Sequence, residues 1–188
     1  MVFSVTKYGN PVLRQKGAHI ENVNDEIKKL IDDMFDTMRS ARGIGLAAQQ
    51  IGKALQLAVI DVRGITDRPS SLELDGQSSA VEAFMPLVLI NPEIKPLNDA
   101  VFGPEGCLSF PEIYADIPRP ESIEVRALDR NGKPFEFRCG GLLARAVQHE
   151  ADHLNGILFI DRMSKADKED LKPELDELQA ETKAALKM

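Results

Sequence analysis

Cysteine is nearly absent from this chain. Cys107 and Cys139 are the only two among 188 residues, too few for a disulfide scaffold and in keeping with a reducing compartment. Histidine is almost as scarce, at three. No long apolar run occurs. The stretch Met1-Val2-Phe3-Ser4-Val5-Thr6-Lys7-Tyr8 is too short and too polar for a signal h-region, and the segment around Phe84 to Ile90 is far too short to span a bilayer, so no membrane partner is expected. Positive charge is in deficit: 23 Lys and Arg face 30 Asp and Glu, for a net charge of −7. That balance argues against broad nucleic-acid binding, and no specific nucleic-acid partner is expected. Neither an internal repeat nor a low-complexity tract is present. What remains, 43% apolar and 28% charged, is the composition of a globular protein long enough to bury one core. The expectation is a cytoplasmic protein or its organellar equivalent.

Against that background His149-Glu150-Ala151-Asp152-His153 stands out, because it uses two of the three histidines. Histidines four apart on a helix project from one face with Cβ atoms about 5–6 Å apart, close enough to share one ion. Glu150 beside the first histidine is placed to take a proton from water. A catalytic metal also needs a third protein ligand. Cys107, His19 and any of the acids are candidates. Cys107 sits in Glu105-Gly106-Cys107-Leu108-Ser109, where Gly106 lets the backbone approach an ion closely. Cys139 reads as a small buried hydrophobe at a strand end, and His19 as structural.

The remaining pattern places this motif. Asn24 caps a helix whose apolar positions Ile27, Leu30, Ile31, Met34 and Met38 follow the helical period, with Gly43 as its stop. Leu57 to Val62 and Leu87 to Ile90 read as short buried strands, the second ended by Asn91-Pro92. Ser122 to Leu128 and Pro134 to Cys139 read as a hairpin turning at Asn131-Gly132. Gly141 to Leu154 is the helix that carries the metal motif, stopped at Gly156, and Pro173 marks a kink or restart in the tail. Strands and helices do not alternate in βαβ fashion. The expected fold is therefore α+β, with antiparallel β-sheets packed around a central helix carrying the His-Glu-x-x-His motif. A single domain over 1–188 is expected, with a surface insertion at 64–83 and a charged C-terminal helix at 164–188.

A third segment, Gly43-Ile44-Gly45-Leu46-Ala47-Ala48-Gln49-Gln50, is weak evidence alone. With Glu105-Gly106-Cys107-Leu108-Ser109 and Gln148-His149-Glu150-Ala151-Asp152-His153-Leu154-Asn155-Gly156 behind it, in that order, it resembles the three signature motifs of the peptide deformylases. Asn10-Pro11-Val12-Leu13-Arg14 and Ala127-Leu128-Asp129-Arg130 are similar to the family too, so the resemblance covers most of residues 7 to 162. It implies that Cys107, His149 and His153 bind one divalent ion, ferrous iron by the family's habit, with zinc or nickel as replacements. It implies an enzyme that removes the formyl group of N-formylmethionyl nascent peptides and releases formate. Glu150 would act as base and then acid, while the Leu108 N–H, the Gln50 amide and the ion hold the oxyanion. Ile44, Leu142 and Ala146 would line the methionine pocket, and Gly45 would offer backbone hydrogen bonds to an extended substrate. Asp152 would pair with Arg119 behind the ligands. A thiolate-ligated ferrous site is also expected to be air-sensitive.

Two features depart from the family. The 64–83 stretch is longer than short bacterial members need: a flap, a lid or, by default, an inert insertion. A basic carboxy-terminal helix docks some relatives on the ribosome, but here Lys165, Lys168, Lys172, Lys183 and Lys187 are outnumbered by Asp167, Glu169, Asp170, Glu174, Asp176, Glu177 and Glu181, which weakens a ribosome contact. Two other classes remain open. One is an aminopeptidase with a carboxylate as third ligand. The other is a non-catalytic deformylase-like binding protein, against which the intact motifs count.

Overall fold

In the computed structural model, which describes residues 1–188, the first long element is helix α1 (Asp25–Ser40). Its start follows from Asn24, whose side chain accepts the Ile27 N–H at 3.0 Å, with Asp25 and Glu26 at the positive end of the helix dipole. Its end differs from expectation. The left-handed residue is Arg42, at φ 57°, one position before Gly43, whose N–H donates to the Met38 carbonyl at 2.9 Å. This is a Schellman closure with an arginine where glycine is usual.

The strands are β1 (Gly45–Ala47), β2 (Leu57–Ile60), β3 (Ser70–Leu74), β4 (Gln77–Ser78), β5 (Leu87–Pro96), β6 (Ala100–Cys107), β7 (Phe110–Pro120), β8 (Ser122–Leu128) and β9 (Pro134–Gly140). Seven form an antiparallel sheet in the order β1-β2-β5-β8-β9-β3-β4, while β6 and β7 make a separate two-stranded ribbon. Asn91-Pro92 does not end β5. Asn91 takes φ 50° at a bulge between Ile90 and Glu93, which removes the proline from the ladder and lets the strand run on. The 64–83 segment carries β3, β4 and the short α2 (Val81–Phe84), and β3 is hydrogen-bonded to β9. Its Leu72 is buried in the core, which an inert surface loop would not supply.

Helix α3 (Gly141–Leu154) lies between the sheet and the ribbon and is buried along nearly its whole length. On one side Leu143, Ala144 and Val147 pack with Leu89, Ile123, Val125 and Phe137 of the sheet. A second core joins α1 to the first strands through Ile31, Met34, Met38, Leu46, Leu57 and Ile90. A third gathers Leu13, Phe110, Ile117 and Phe159. The tail forms α4 (Lys165–Asp170) and α5 (Lys172–Ala185), with Pro173 in the first turn of α5 and Leu175 entering the third core. No helix is long and apolar enough to cross a membrane.

Candidate metal centre and cavity

The amino terminus of α3 has no side-chain cap of its own. Residues from the 64–83 segment supply one: Leu142 N–H donates to the Pro69 carbonyl and Leu143 N–H to Ser70 Oγ, each at 3.0 Å. Gly141 sits at φ 66° with the Pro69 carbonyl where a Cβ would be, so the close approach requires glycine.

About two and three turns further on, α3 presents His149 and His153 side by side, with ring centroids 5.0 Å apart. Cys107, at the end of β6, completes a group whose donor atoms all lie within 4.8 Å of one another. Its Sγ is 3.3 Å from His153 Nε2. A tetrahedral ion with bonds of about 2.0–2.1 Å to nitrogen and about 2.3 Å to sulfur has edges of roughly 3.3–3.6 Å, so the donors fit a single divalent ion. The third member is a cysteine, not a carboxylate.

His149 is aimed by its other ring nitrogen, Nδ1, which lies 2.8 Å from Glu105 Oε1. Glu105 in turn accepts Arg119 Nε at 2.6 Å, Arg119 Nη2 at 3.0 Å and Arg145 Nη1 at 3.0 Å. Arg119 Nη1 reaches Asp152 Oδ2 at 2.8 Å, and Arg162 grips both Asp152 oxygens at 2.5 and 2.7 Å. Burial opposes ionisation of Glu105, but the hydrogen bonds from His149 and Arg119 outweigh it and bring its carboxyl down to about 2. Burial pulls His149 down as well. Its contacts with Cys107 and Glu105 reverse this and hold the imidazole well above its ordinary range. A pocket that favours positive charge in this way suits a divalent cation. His153, pushed well below its ordinary range by burial and then by His149, is neutral and free to ligate.

Glu150 shares a cavity of about 620 Å³ with Cys107 and His149. Burial pushes its carboxyl up to about 7, and Oε2 has no hydrogen-bond partner. Gly45 lies against it: a Cβ there would strike Glu150 Oε1. Gln50 is oriented by Ala47, whose N–H donates to Oε1 at 2.9 Å. Its Nε2 is thereby turned toward Ser109 Oγ at 3.1 Å and Cys107 Sγ at 3.7 Å. The Leu108 N–H has no hydrogen-bond acceptor within the protein, while its carbonyl accepts Lys7 Nζ at 2.8 Å. Ile44, Gly45, Leu142 and Ala146 line the same cavity, Leu142 and Ala146 also belonging to the main core. Asp152 and Arg119 stand behind His149 and His153, outside the cavity wall. His19 is remote, exposed and next to Asn91, and Cys139 is buried.

Several contributors were not singled out from sequence. Glu105 carried a signal: two residues before Cys107 on a strand, it faces the same side. Lys7, Ser109, Arg145 and Arg162 carried none, because their contacts join distant segments. Residues 6–8 sew the Gln50 turn to the Cys107–Ser109 turn. Thr6 N–H donates to the Gln50 carbonyl at 2.7 Å and Tyr8 N–H to the Ser109 carbonyl at 3.0 Å, on either side of the Lys7 contact.

With this geometry in hand, comparison with known proteins is direct. The sequence model of the family described as polypeptide deformylase matches residues 2–169. The chain is 46% identical to a peptide deformylase of Methylacidiphilum infernorum over 178 residues, covering 95% of this chain and 93% of the relative. It is 45% identical to that of Opitutus terrae over 190 residues, covering 100% and 98%. Among solved structures it is similar to a peptide deformylase from Legionella pneumophila, at TM-score 0.79, 38% identity and 96% of each chain. The Synechococcus elongatus enzyme, solved in complex with actinonin, matches at TM-score 0.75 and 40% identity, covering 96% of this chain and 85% of that one.

Proposed function

The chain belongs to the polypeptide deformylase family, and from that premise we propose that Cys107, His149 and His153 hold its metal and that Glu150 moves its protons. The protein is a metal-dependent hydrolase that removes the N-formyl group from the N-terminal formylmethionine of newly made polypeptides, releasing formate. A divalent ion held by the two imidazoles and the cysteine sulfur would supply Lewis acidity, which makes water nucleophilic near neutral pH. Ferrous iron is the proposed native ion, with zinc and nickel as functional replacements.

Glu150, buried in the wall of the cavity, accepts a proton from the attacking water as its oxygen bonds to the formyl carbon. It returns that proton to the nitrogen as the C–N bond breaks, so formate and a free amino-terminal methionine leave. Gln50 Nε2 and the Leu108 N–H donate to the oxygen on which negative charge develops. Removing one such donor costs about 10²–10³ in rate. Ile44, Leu142 and Ala146 receive the methionine side chain, and Gly45, on edge strand β1, pairs with the extended peptide through its backbone. Asp152 and Arg119 orient α3 from behind.

The observation that carries this reading is the convergence of Cys107, His149, His153 and Glu150 from two chain segments in one small volume. It is tested by metal analysis. The native protein should bind one ferrous or zinc ion per chain, and Cys107→Ala should lose it. Retention of the ion by Cys107→Ala would remove the cysteine from the ligand set. We place the protein in the cytoplasm. A ribosome contact through residues 164–188 is tested by salt-sensitive pelleting with and without that segment, and equal pelleting would end the idea.

A further inference from the structure

Two arginines in this acidic chain have no partner, and both lie at the same opening. Every other arginine is held in an ion pair or, for Arg39, lies 5.4 Å from the Phe35 ring. The Arg42 and Arg68 guanidiniums make no hydrogen bond or ion pair, and both residues line the cavity that holds Glu150. They come from unrelated segments: Arg42 from the closing turn of α1, Arg68 from the 64–83 segment just before β3. Arg42 also occupies φ 57°, a left-handed position that disfavours a Cβ and would be easier for glycine. Other charges in the wall are already engaged, Arg145 with Glu105 and Lys7 with the Leu108 carbonyl. Glu112 is the one exposed acid there, against these two cations.

We infer that Arg42 and Arg68 are specificity-determining residues that favour substrates with an acidic side chain shortly after the formylmethionine. The inference rests on the deformylase reading and adds to it a preference among nascent chains. Arg42 precedes Gly45 by three residues, at most roughly 10 Å of extended chain at about 3.3 Å per residue. A peptide paired along β1 through Gly45 therefore brings its second or third residue beyond methionine within reach of the Arg42 guanidinium. Arg68 meets the same stretch from the opposite segment. Each cation attracts a carboxylate and repels an ammonium, so the discrimination between an acidic and a basic peptide counts both effects twice. The contacts are solvent-exposed, so they are modest singly and sensitive to salt.

The test compares kcat/KM for the C-terminally amidated peptides formyl-Met-Ala-Asp, formyl-Met-Ala-Ser and formyl-Met-Ala-Lys, at about 20 mM and about 500 mM salt. The aspartyl peptide should exceed the lysyl peptide by roughly fivefold or more at low salt, mainly through KM, and the ratio should fall toward one at high salt. It should also fall toward one in Arg42→Asn/Arg68→Gln, asparagine being chosen because it tolerates the left-handed turn, and reverse in Arg42→Glu/Arg68→Glu. Using the ratio removes any general loss of activity in the variants. A wild-type ratio within about twofold of one, or an unchanged ratio in the neutral variant, overturns the inference while the serine peptide still releases formate. No formate from any of the three peptides would sink the deformylase reading, and this inference with it.

Discussion

Glu105 is the point at which a single isosteric change should disturb both the fold and the metal. The carboxylate is buried and accepts from Arg119 twice, from Arg145 and from His149. Glu105→Gln keeps the shape but removes the charge that balances two buried guanidiniums, and it turns one acceptor oxygen into a donor facing a cation. Breaking one partner of a buried ion pair costs about 3–5 kcal/mol. Asp152 still pairs with Arg119, so the lower end, about 3 kcal/mol, is the appropriate figure. For a chain of this size that corresponds to a Tm lower by about 6–12 °C. The same change loosens the hydrogen bond that aims His149, which should weaken metal binding by about 10–100-fold. Thermal unfolding of the metal-loaded protein and zinc competition against a chromogenic chelator measure the two effects separately. If Glu105→Gln melted within about 2 °C of wild type and bound zinc equally well, the reasoning about this network would be wrong.

Three other perturbations read two parts of the site and the core beside it. Lys7→Met should lower kcat about three- to tenfold with little change in KM, because it frees the Leu108 turn and not the proposed methionine pocket, and Lys7→Arg should recover part of the loss; an unchanged kcat would separate the N-terminal segment from the proposed oxyanion donor. Gly45→Ala should fold yet lose about 10²-fold or more in kcat as its methyl group displaces Glu150, and wild-type kinetics would contradict the close approach. Burial pushes the Cys139 thiol up to about 12 from an ordinary 9.0. The unfolded chain therefore gives up that proton first, and Cys139 destabilises the fold progressively above pH 9. Denaturant titrations at pH 8 and 10 should show a smaller alkaline loss in Cys139→Ala than in wild type, and equal losses would refute the assignment.

Much of this was legible because the informative signals are local. The Asn24 cap, the apolar period of α1, the Asn131-Gly132 turn and the limits of α3 depend on residues a few positions apart. The family resemblance supplied the rest of the reading that local signals could not, above all the union of Gln50, Cys107 and the α3 histidines. The misses have physical causes. Pro92 looks like a strand terminator until Asn91 enters the left-handed region and a bulge takes up the proline. Gly43 looks like the left-handed closer of α1, yet Arg42 fills that role, a choice no propensity favours. The ribbon of β6 and β7 went unread because Gly103, Pro104 and Gly106 interrupt any alternation. Lys7, Arg145 and Arg162 act across 10 to 101 residues of sequence, distances at which no pattern in a single chain reports contact.

The central claim is that this cavity deformylates peptides with Glu150 as its proton carrier. The most direct test measures formate release from formyl-Met-Ala-Ser by anaerobically purified, metal-loaded protein, beside Glu150→Ala with the same metal content and an unformylated control peptide. The account predicts metal-dependent formate from the native protein, its near-complete loss in Glu150→Ala, and no cleavage of the control. Formate release at the native rate by fully metallated Glu150→Ala, or removal of methionine from the unformylated peptide without formate from the formylated one, would contradict it.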